Sequence, residues 1–312
     1  MNTLELIRGL HNLRPRHCGC VATIGNFDGL HRGHQAVIGQ LLEKAQQLRL
    51  PAVVITFEPQ PEEFFMGENA PARLTRFREK AQQLRRFALD RLLAIHFTRD
   101  FAEIEAERFV RDVLVSALGV KYLVVGDDFR FGRQRAGDFA LLERMGAELG
   151  FAVTHMHTLS ACGERISSTR IRKLLEEGHL DEAELLLGRP YRMSGRVAHG
   201  DKRGRQLGFP TANIHLHRKV APLTGVFAIE LFGIDGEPWP GVANIGYRPT
   251  FDGGRSLLEV HLFDFDGDLY GRHVHIDFLH RLRGERRFAD FAALRSQIER
   301  DCSAARDWFA QL

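Results

Sequence analysis

The chain of 312 residues has no apolar run long enough to cross a membrane and no paired cysteine motif. A membrane-spanning helix needs roughly 18 or more consecutive apolar residues, so we expect no membrane contact. The first 16 residues lack the apolar segment of a signal peptide, and we therefore expect a cytoplasmic protein. The isolated cysteines disfavour a zinc site or a disulfide framework. They are Cys18, Cys20, Cys162 and Cys302.

An excess of charge of either sign is also absent. Lys and Arg number 43 against 40 Asp and Glu, and the net charge is +3. This balance gives no support to a dedicated nucleic-acid binder. By contrast, glycine and phenylalanine are plentiful, at 30 Gly and 23 Phe. Glycine is needed where the backbone turns with positive φ or approaches a neighbour closely, and the length suits two domains.

The first half of the chain alternates apolar runs with helical patterns. Near-continuous apolar runs are what a parallel sheet covered on both faces requires, and residues such as Ile38, Leu41 and Ala45 have helical spacing. We therefore predict an α/β domain with a Rossmann-like sheet. The predicted strands are 21–25, 53–57, 92–97, 122–126 and 151–155, and further predicted helices cover 103–118 and 138–149.

The pattern changes near Gly188–Arg189–Pro190. A helix predicted to begin at Ser167–Ser168 and a short acidic helix over 181–187 come before it. After it, short segments alternate polar and apolar residues, which is typical of strands with one polar face. We predict domains of residues 1–187 and 188–312, the second being a small antiparallel β-barrel with a C-terminal helix. Its clearest predicted strands are 226–232, 257–263 and 273–278, and its helix covers about 286–311.

Residues 25–34, GNFDGLHRGH, follow a predicted buried strand and open a helix. Backbone N–H groups and the helix dipole make this place in an α/β fold suited to phosphate. We assign Gly25, Asp28 and Gly33 to phosphate binding. His31 and His34 lie three residues apart, so they can share one face and donate hydrogen bonds to charge developing on phosphorus. A metal-binding pair or two surface histidines would be the alternatives.

The segment Ile166–Arg172, ISSTRIR, opens another predicted helix. Ser168 and Thr169, with Arg165 and Arg172, suit the phosphates of ATP. Read alone, the same residues describe a well-capped helix with solvated arginines.

Aromatic and acidic residues follow two other predicted strands. Phe57 lies at the end of one, and Asp128 and Phe129 lie in GDDFRFG after another. Such residues can stack on and hydrogen-bond a planar heterocycle. A turn anchored by phenylalanine explains GDDFRFG equally well.

Residues 195–213 are rich in glycine and basic residues but contain no Walker loop. We assign Gly195, Gly200 and Gly208 to phosphate binding. Thr211 and Asn213 face the same side of an extended strand, and their oxygens are acceptable ligands for Mg²⁺ beside ATP. An outward polar pair is the alternative.

Two further segments of the predicted second domain carry candidate functional residues. Asn244–Phe251, NIGYRPTF, is interpreted as an unusual turn. Glu259 is placed on a strand, where its carboxylate can accept a proton from a hydroxyl that is being phosphorylated. An isolated strand glutamate is otherwise a solvated residue.

Taken in series, these motifs resemble the bacterial bifunctional riboflavin kinase/FMN adenylyltransferase family. The resemblance runs from about Val21 to the C-terminal helix and rests on GNFDGLHRGH, GDDFRFG, ISSTRIR, GRVAHG, GRQLGFPTAN, NIGYRPTF and EVH. It implies an enzyme whose substrates and products are riboflavin, FMN, FAD and ATP.

The resemblance also implies roles for single residues. Glu259 would be the base for phosphorylation of riboflavin, with Thr211 and Asn213 at the Mg²⁺–ATP site. His31 and His34 would stabilise the transferring phosphate as FMN is adenylylated to FAD. The ATP phosphates would be held by Arg165, Ser168, Thr169 and Arg172, and the flavin would lie near Phe57, Asp128 and Phe129.

One departure and two alternatives stay open. The family commonly has histidine where this chain has Gln60, which affects the detail of the flavin pocket. One alternative is an adenylyltransferase whose barrel only binds or regulates. The other is a non-enzymatic flavin- or nucleic-acid-binding regulator, which the near-neutral charge disfavours. The oligomeric state is not readable from the sequence.

Overall fold

The computed structural model describes residues 4–156, 159–161, 163–198, 208–218, 220–248 and 255–312. The chain divides into two compact units. The first contains Met1–Pro71 and Thr75–Ser167, and the second contains Ala72–Leu74 and Ser168–Leu312. The short segment 72–74 therefore groups with the second unit although its neighbours in sequence belong to the first.

The first unit is built on a six-stranded parallel sheet in the order β1-β4-β3-β2-β5-β6. Five strands confirm the predicted ones, with ends that differ by at most two residues. The edge strand β1 was not predicted, because four residues carry too little periodicity and its pairing with β4 is long-range. The strands are β1 Glu5–Arg8, β2 Cys20–Ile24, β3 Ala52–Glu58, β4 Arg91–His96, β5 Val120–Gly126 and β6 Ala152–Met156.

Both faces of this sheet are buried. Successive residues of one strand enter different apolar clusters: Val53 packs on one face and Val54 on the other, and both are fully buried. This explains the continuous apolar runs, since a strand covered on both sides has no polar face. It also leaves the strand ends as the places where polar groups can collect.

Helices connect and cover the strands. The predicted helix over 103–118 is present from Ala106 to Ala117, but most of it is a π-helix. The spacing of the apolar residues in the sequence does not distinguish an α-helix from a π-helix. The first-unit helices are α1 Arg32–Leu48, α2 Pro61–Met66, α3 Phe77–Leu84, α4 Arg99–Ala102, α5 Ala106–Arg108, the π-helix Phe109–Ala117 and α6 Phe139–Leu149. A two-stranded piece, β7 Ser160–Ala161 and β8 Glu164–Arg165, follows β6.

The strand order reverses beside β2. The chain proceeds from β2 through β3 to β4 on one side, and β5 and β6 lie on the other. In open α/β sheets, ligands bind at the carboxyl ends of the strands at this switch point. The loops that follow β2 and β5 contain GNFDGLHRGH and GDDFRFG, so the fold brings the two predicted motifs to that edge.

The second unit contains a closed antiparallel barrel in the order β10-β13-β12-β11-β14-β9, with β9 and β10 paired. This confirms the predicted fold class. Its strands are β9 Tyr191–Ala198, β10 Ala212–His215, β11 Gly225–Phe232, β12 Trp239–Arg248, β13 Arg255–Leu262 and β14 His273–Arg283. Its helices are α7 Ser168–Glu177, α8 Leu180–Leu187 and α9 Phe291–Phe309.

The helices α7 and α8 belong with the barrel in this division, and α8 packs on β9 and β14. The division thus falls at Ser167/Ser168, before the predicted domain boundary at 187/188. The C-terminal helix α9 is confirmed; it covers the outer face of the barrel through Cys302, Ala305 and neighbouring residues, which pack with Val226 and Val242.

One local prediction is wrong. Asn244 was interpreted as the start of a turn, whereas it lies inside β12 and is paired on both sides. The β-strand pattern was concealed by the glycines at 241 and 246. Gly241 is required there, because a Cβ would lie 2.3 Å from the carbonyl oxygen of His261 on β13. Residues 249–251 of that motif lie outside the described residues.

Cys18, Cys20 and Cys302 are free thiols, and Cys162 lies outside the described residues. Burial raises the pKa of Cys20 to about 12 and that of Cys302 to about 11, so both thiols stay protonated near neutral pH. Of the helices in the described ranges, none has the length and apolar content that a membrane span requires.

A charge cluster on the barrel gives a test of stability. Glu230 on β11 lies directly opposite Asp277 on β14, whose carboxylate pairs with Arg192 on β9. Burial and, next, Asp277 raise the pKa of Glu230. The folded state therefore binds this proton more tightly than the unfolded state, and the carboxylate lowers the free energy of unfolding as the pH rises through the raised pKa.

We expect Glu230→Gln to increase the stability of the barrel at pH 7.5 by about 0.5 kcal/mol, a value typical of cross-strand pairs, and by less at pH 4.5. Urea denaturation followed by tryptophan fluorescence measures this, because Trp239 and Trp308 are the two tryptophans of the chain and both lie in the second unit. Glu237→Gln, at an exposed turn, is the control. A gain that is equal at the two pH values would contradict the prediction.

Candidate active sites

The loop after β2 is held in an unusual conformation. Phe27 and Leu30 have φ values of 48° and 45°, and Gly29 has 77°. Non-glycine residues rarely adopt such values, and they cluster at functional sites. The backbone N–H of Gly29 donates to Thr75 Oγ1 (3.0 Å), and the backbone N–H of Thr75 donates to Asp28 Oδ1 (2.9 Å).

The side chain of Asp28 supports this loop. It is only 2% exposed, and one of its oxygens also accepts a hydrogen bond from Thr75 Oγ1 at 3.1 Å. A phosphate contact from this residue would therefore come from its backbone, because its carboxylate is engaged and has the same sign of charge as phosphate. Phosphate binding by Asp28 therefore stays a prediction, and the predicted contact is one from its backbone.

His31 and His34 stack on each other at the start of α1. Their ring centroids are 3.6 Å apart, and the rings are inclined by 16°. His31 is the N-cap residue, and its Nδ1 accepts a hydrogen bond from the backbone N–H of His34 at 3.3 Å. Neutral His31 must then carry its proton on Nε2, which makes Nε2 a donor. The sequence correctly predicted that the two imidazoles share one face.

Burial keeps His34 neutral. The pKa of His34 is lowered well below its ordinary value, first by desolvation and then by His31 and the ammonium of Lys80. Its Nδ1 is buried and finds no hydrogen-bond partner among the described residues. A neutral imidazole still has one N–H to donate, so His34 is suited to hydrogen bonding with an anion and poorly suited to taking up protons.

Lys80 on α3 was not identified from the sequence. Its side chain is fully buried, and its Nζ donates to the carbonyl oxygen of Asn26 and to Thr56 Oγ1, the latter at 3.3 Å. It thus joins the end of β3 to the loop that carries the histidines. A lysine in an otherwise polar helix gives no sequence signal of burial, since lysine is almost never fully buried.

The glycines of this loop allow close packing. A Cβ on Gly33 would lie 3.2 Å from the ring of His31 and 3.8 Å from the carbonyl oxygen of Ile166, and a Cβ on Gly25 would lie 3.2 Å from the ring of Phe27. Ile166 therefore lies beside the histidine pair. The ISSTRIR motif begins at that residue.

Asp128 and Arg165 contact each other. Their Oδ2 and Nη2 atoms are 2.7 Å apart, and both side chains are about half exposed or more. The resemblance assigns Asp128 to the flavin and Arg165 to ATP. Exposed ion pairs of this kind contribute about 0–1 kcal/mol, so a ligand that binds either residue would break the pair at little cost.

Phe57 and Phe129 belong to a network of aromatic rings that no sequence motif indicates. Phe57 meets the edge of Phe97 at 5.7 Å, and Phe129 stacks on Phe131 at 5.6 Å. The surplus of phenylalanine in the composition was the only signal. The linked rings are Phe57, Phe64, Phe65, Phe97, Phe101, Phe109, Phe129 and Phe131.

The remaining residues assigned to ATP in this motif open α7, which belongs to the second unit. Ser168 and Thr169 lie in its first turn. Arg172 donates from Nε to the carbonyl oxygen of Ala72 at 2.7 Å, a contact within that unit.

On the barrel, three polar residues form a row across neighbouring strands. Glu259 on β13 lies directly opposite Asn213 on β10 and, on its other side, directly opposite Asn244 on β12. Directly paired residues share a face of a sheet. Thr211 precedes β10 by one residue and is half-buried. The structure thus places Glu259 beside Asn213, two residues that the resemblance assigns to the kinase site, and adds Asn244; their functional roles stay predictions.

The glycines assigned to phosphate on the barrel differ in their surroundings. A Cβ on Gly195 would lie 2.5 Å from the carbonyl oxygen of His215, so close pairing with β10 explains this glycine. Gly208 has φ +87°, which favours glycine, and open space beside it. Gly200 lies outside the described residues. Their phosphate-binding roles stay predictions.

The hydroxyl of Thr211 and the amide of Asn213 are hard oxygen donors that fit Mg²⁺ bound to phosphate. Within the part of the chain that the structure describes, no group of three or more His, Cys, Asp and Glu side chains is arranged to hold a metal. A metal at the barrel would therefore depend on ligand oxygens in addition to protein groups.

A family model of FAD synthetase matches residues 13–170, and one of riboflavin kinase matches residues 187–309. The chain is 51% identical to an Escherichia coli (strain K12) protein named bifunctional riboflavin kinase/FMN adenylyltransferase, over 98% of each chain. Proteins with the same name from Pseudomonas fluorescens and Haemophilus influenzae are 52% and 49% identical over at least 97% of each chain.

A solved structure has the same fold. It is a Streptococcus pneumoniae protein described as a macrolide-efflux protein, with 30% sequence identity, a TM-score of 0.83, and coverage of 98% of this chain and all of the other.

These matches define a class of protein in which a FAD synthetase domain is followed by a riboflavin kinase domain. The chain belongs to the family of bifunctional riboflavin kinases/FMN adenylyltransferases. The family models leave residues 171–186, most of α7 and α8, between the two domains.

The protonation state of the His34 imidazole can be measured directly. We expect its imidazole to stay neutral from pH 8 to pH 6, because burial lowers its pKa. Titration of the imidazole ¹⁵N signals measures this, with assignment from His34→Gln.

We expect Lys80→Met to raise the pKa of His34, since one of the neighbouring positive charges is removed. Lys121→Met, at an exposed position of β5, is the matched control and should leave it unchanged. A pKa of His34 at or above 6.5 in the unmodified protein would show that the pair is not desolvated.

Proposed function

We propose that the chain forms FAD from riboflavin in two ATP-dependent steps, phosphorylation at the barrel and adenylylation at the first unit. The observation that carries the proposal is that two separate constellations, the stacked histidines and the Glu259 row, each lie in the region matched by the corresponding family. The names of the relatives, which include both activities, support it.

In the phosphorylation step, Glu259 accepts the proton of the ribityl 5′-hydroxyl of riboflavin as that oxygen attacks the γ-phosphorus of ATP. The bond to the β-phosphate oxygen breaks, and FMN and ADP form. Glu259 fits the role of base because its carboxylate makes no hydrogen bond or ion pair with the other described residues and is half-buried.

In the adenylylation step, a phosphate oxygen of FMN attacks the α-phosphorus of ATP, and pyrophosphate leaves. The imidazoles of His31 and His34 donate hydrogen bonds to the charge that develops on the α-phosphate oxygens. Arg165, Ser168, Thr169 and Arg172 are proposed to hold the β- and γ-phosphates. Phe57 and Phe129 are proposed to lie against the flavin, within the network of rings.

We further propose that Thr211 and Asn213 hold Mg²⁺ with ATP at the barrel. The ion would neutralise charge on the transferring phosphoryl group. The cytoplasm is the proposed compartment, since ATP is a substrate and the three described cysteines are free.

Replacing Glu259 tests the kinase assignment. We expect Glu259→Gln to lower the rate of FMN formation from riboflavin and Mg-ATP by about 10²–10⁴-fold, the usual contribution of a general base, while conversion of supplied FMN to FAD is preserved. Chromatography of the flavin products measures both steps.

The matched control is Glu237→Gln, the same chemical change at an exposed turn of the barrel. Unchanged phosphorylation in Glu259→Gln would show that Glu259 is not the base. Absence of FMN formation by the unmodified protein, with adenylylation intact, would instead favour an adenylyltransferase with a binding or regulatory barrel.

Replacing His34 tests the other site. We expect His34→Ala to lower the turnover of FMN to FAD by about 10²–10³-fold, because it removes a donor to developing charge. Riboflavin phosphorylation should be nearly unaffected. The control is His179→Ala, an exposed histidine beside α8. Equal losses of both activities would point to misfolding, and full retention of adenylylation would exclude the assigned role.

A further inference from the structure

The backbone carbonyl group of Asn26 is bound by two buried side chains. Asn26 lies in the loop after β2, directly before Phe27. Its carbonyl oxygen accepts hydrogen bonds from Lys80 Nζ and from Thr56 Oγ1, the latter at 3.4 Å. The ammonium also donates to Thr56 Oγ1 at 3.3 Å, which joins the three groups in one network. The loop is thus connected to α3 and β3 at a single backbone atom.

Both donors lie entirely inside the first unit. The side chains of Lys80 and Thr56 are fully buried. Burial of an ammonium costs free energy unless the group is hydrogen-bonded, and lysine is almost never fully buried. A neutral donor would satisfy one carbonyl oxygen at lower cost. The ammonium makes the stronger, charge-assisted hydrogen bond, which favours a role in holding this carbonyl group firmly.

The direction of the carbonyl group determines how the following turn begins. A trans peptide unit is planar, so its C=O and N–H groups point in opposite directions. With the carbonyl oxygen of Asn26 bound to Lys80, the N–H of Phe27 must point away from the ammonium. Phe27 then adopts the left-handed conformation, with φ 48° and ψ 36°, which is unfavourable for a residue with a large side chain.

This turn is in contact with the histidine pair. The ring of Phe27 packs against that of His34, with centroids 5.2 Å apart, and His31 caps the helix that follows. A change in the turn would therefore move the imidazoles that are proposed to meet the transferring phosphate. Lys80 is also one of the groups that lower the pKa of His34, so its charge acts at this site.

We propose that Lys80 and Thr56 are positioning residues for the adenylylation of FMN. Both donate to the carbonyl oxygen of Asn26 and so hold the turn at Phe27 in the conformation that places the two imidazoles. The inference rests on the proposed adenylylation at the first unit. Its expected effect is on rate, because misplacement of a catalytic group by about 1 Å can cost 10²-fold.

The first measurement is the rate of Lys80→Met, which keeps the apolar part of the side chain and removes its charge and donors. We expect the kcat of FMN adenylylation to fall by about 10–100-fold, the range for a hydrogen bond to a charged group. The KM values for FMN and ATP should change less than threefold, and riboflavin phosphorylation should be unchanged. Lys121→Met, at an exposed position, is the control. A rise in KM with unchanged kcat would overturn the proposal.

The second measurement removes the other donor. Thr56→Val deletes the hydroxyl and keeps the shape of the side chain, and we expect it to lower kcat by about 2–10-fold, the range for one neutral hydrogen bond. Thr56→Ser keeps the hydroxyl and should retain most of the rate. If the serine variant loses as much as the valine variant, the hydroxyl is not the cause and the proposal is wrong.

Thr23→Val is the matched control for this change. Thr23 lies on the neighbouring strand β2 and is also fully buried, but its hydroxyl has no hydrogen-bond partner among the described residues. This variant should keep full kcat. Equal losses in the two valine variants would show that the first unit responds to any such substitution, which would overturn the assigned role of Thr56.

The double variant Lys80→Met/Thr56→Val tests whether the two residues act together. Because both donors bind one carbonyl oxygen, we expect the combined loss of kcat to be smaller than the product of the two single losses. Losses that multiply fully would show that the residues act independently, and the shared role would be excluded.

Folding and the proposed function are measured separately. Amide hydrogen exchange of β3 and β5 reports the stability of the first unit, and Thr56→Val decides the question if Lys80→Met does not fold. If His34→Ala retains full adenylylation, the assigned site fails and this inference fails with it. If His34→Ala loses adenylylation while Thr56→Val and folded Lys80→Met keep full kcat, this inference alone fails.

Discussion

The closely packed apolar interiors of the parallel sheet unit and of the barrel determine where polar functional groups can lie. The parallel sheet of the first unit has apolar clusters on both faces, so functional groups are confined to the loops at its strand ends. The barrel is closed, and the inward residues of its strands, such as Leu258 and Val260, are buried. Its polar row therefore lies on the outer face, at a stretch of β12 and β13 beyond the apolar contacts of α9.

The first site depends on a loop that is strained and tightly held. Positive φ at Phe27 and Leu30 costs of order 1–3 kcal/mol for each residue, and buried contacts with Thr75 and Lys80 offset this cost. These contacts fix the backbone from which α1 begins. The His31 ring caps that helix and stacks on His34, and a Cβ at residue 33 would lie only 3.2 Å from it, so the glycine relieves crowding at the imidazole pair.

Single elements show how much of the fold and of the candidate sites can be predicted from the sequence. The buried strands and the position of Glu259 on a strand were predictable, because apolar periodicity and matched motifs are local signals. Three features were not: the edge strand β1, whose pairing is long-range, the buried Lys80, and the position of Asn244 inside β12. Each is determined by tertiary contacts that have no counterpart in local composition. The aromatic network shows an intermediate case, since the surplus of phenylalanine was visible but its arrangement was not.

The contrast between the two sites follows from the nucleophiles of the two proposed reactions. A phosphate monoester has its second pKa near 6, so FMN is already ionised at neutral pH and its attack on ATP requires hydrogen-bond donors but no base. Desolvated, neutral imidazoles supply donors without competing for protons, which is the state that burial imposes on His34. An alcohol is not ionised at that pH, and riboflavin must lose a proton as it attacks. The site for that step accordingly needs a carboxylate, and Glu259, which lies between two carboxamides and pairs with no cation among the described residues, provides one.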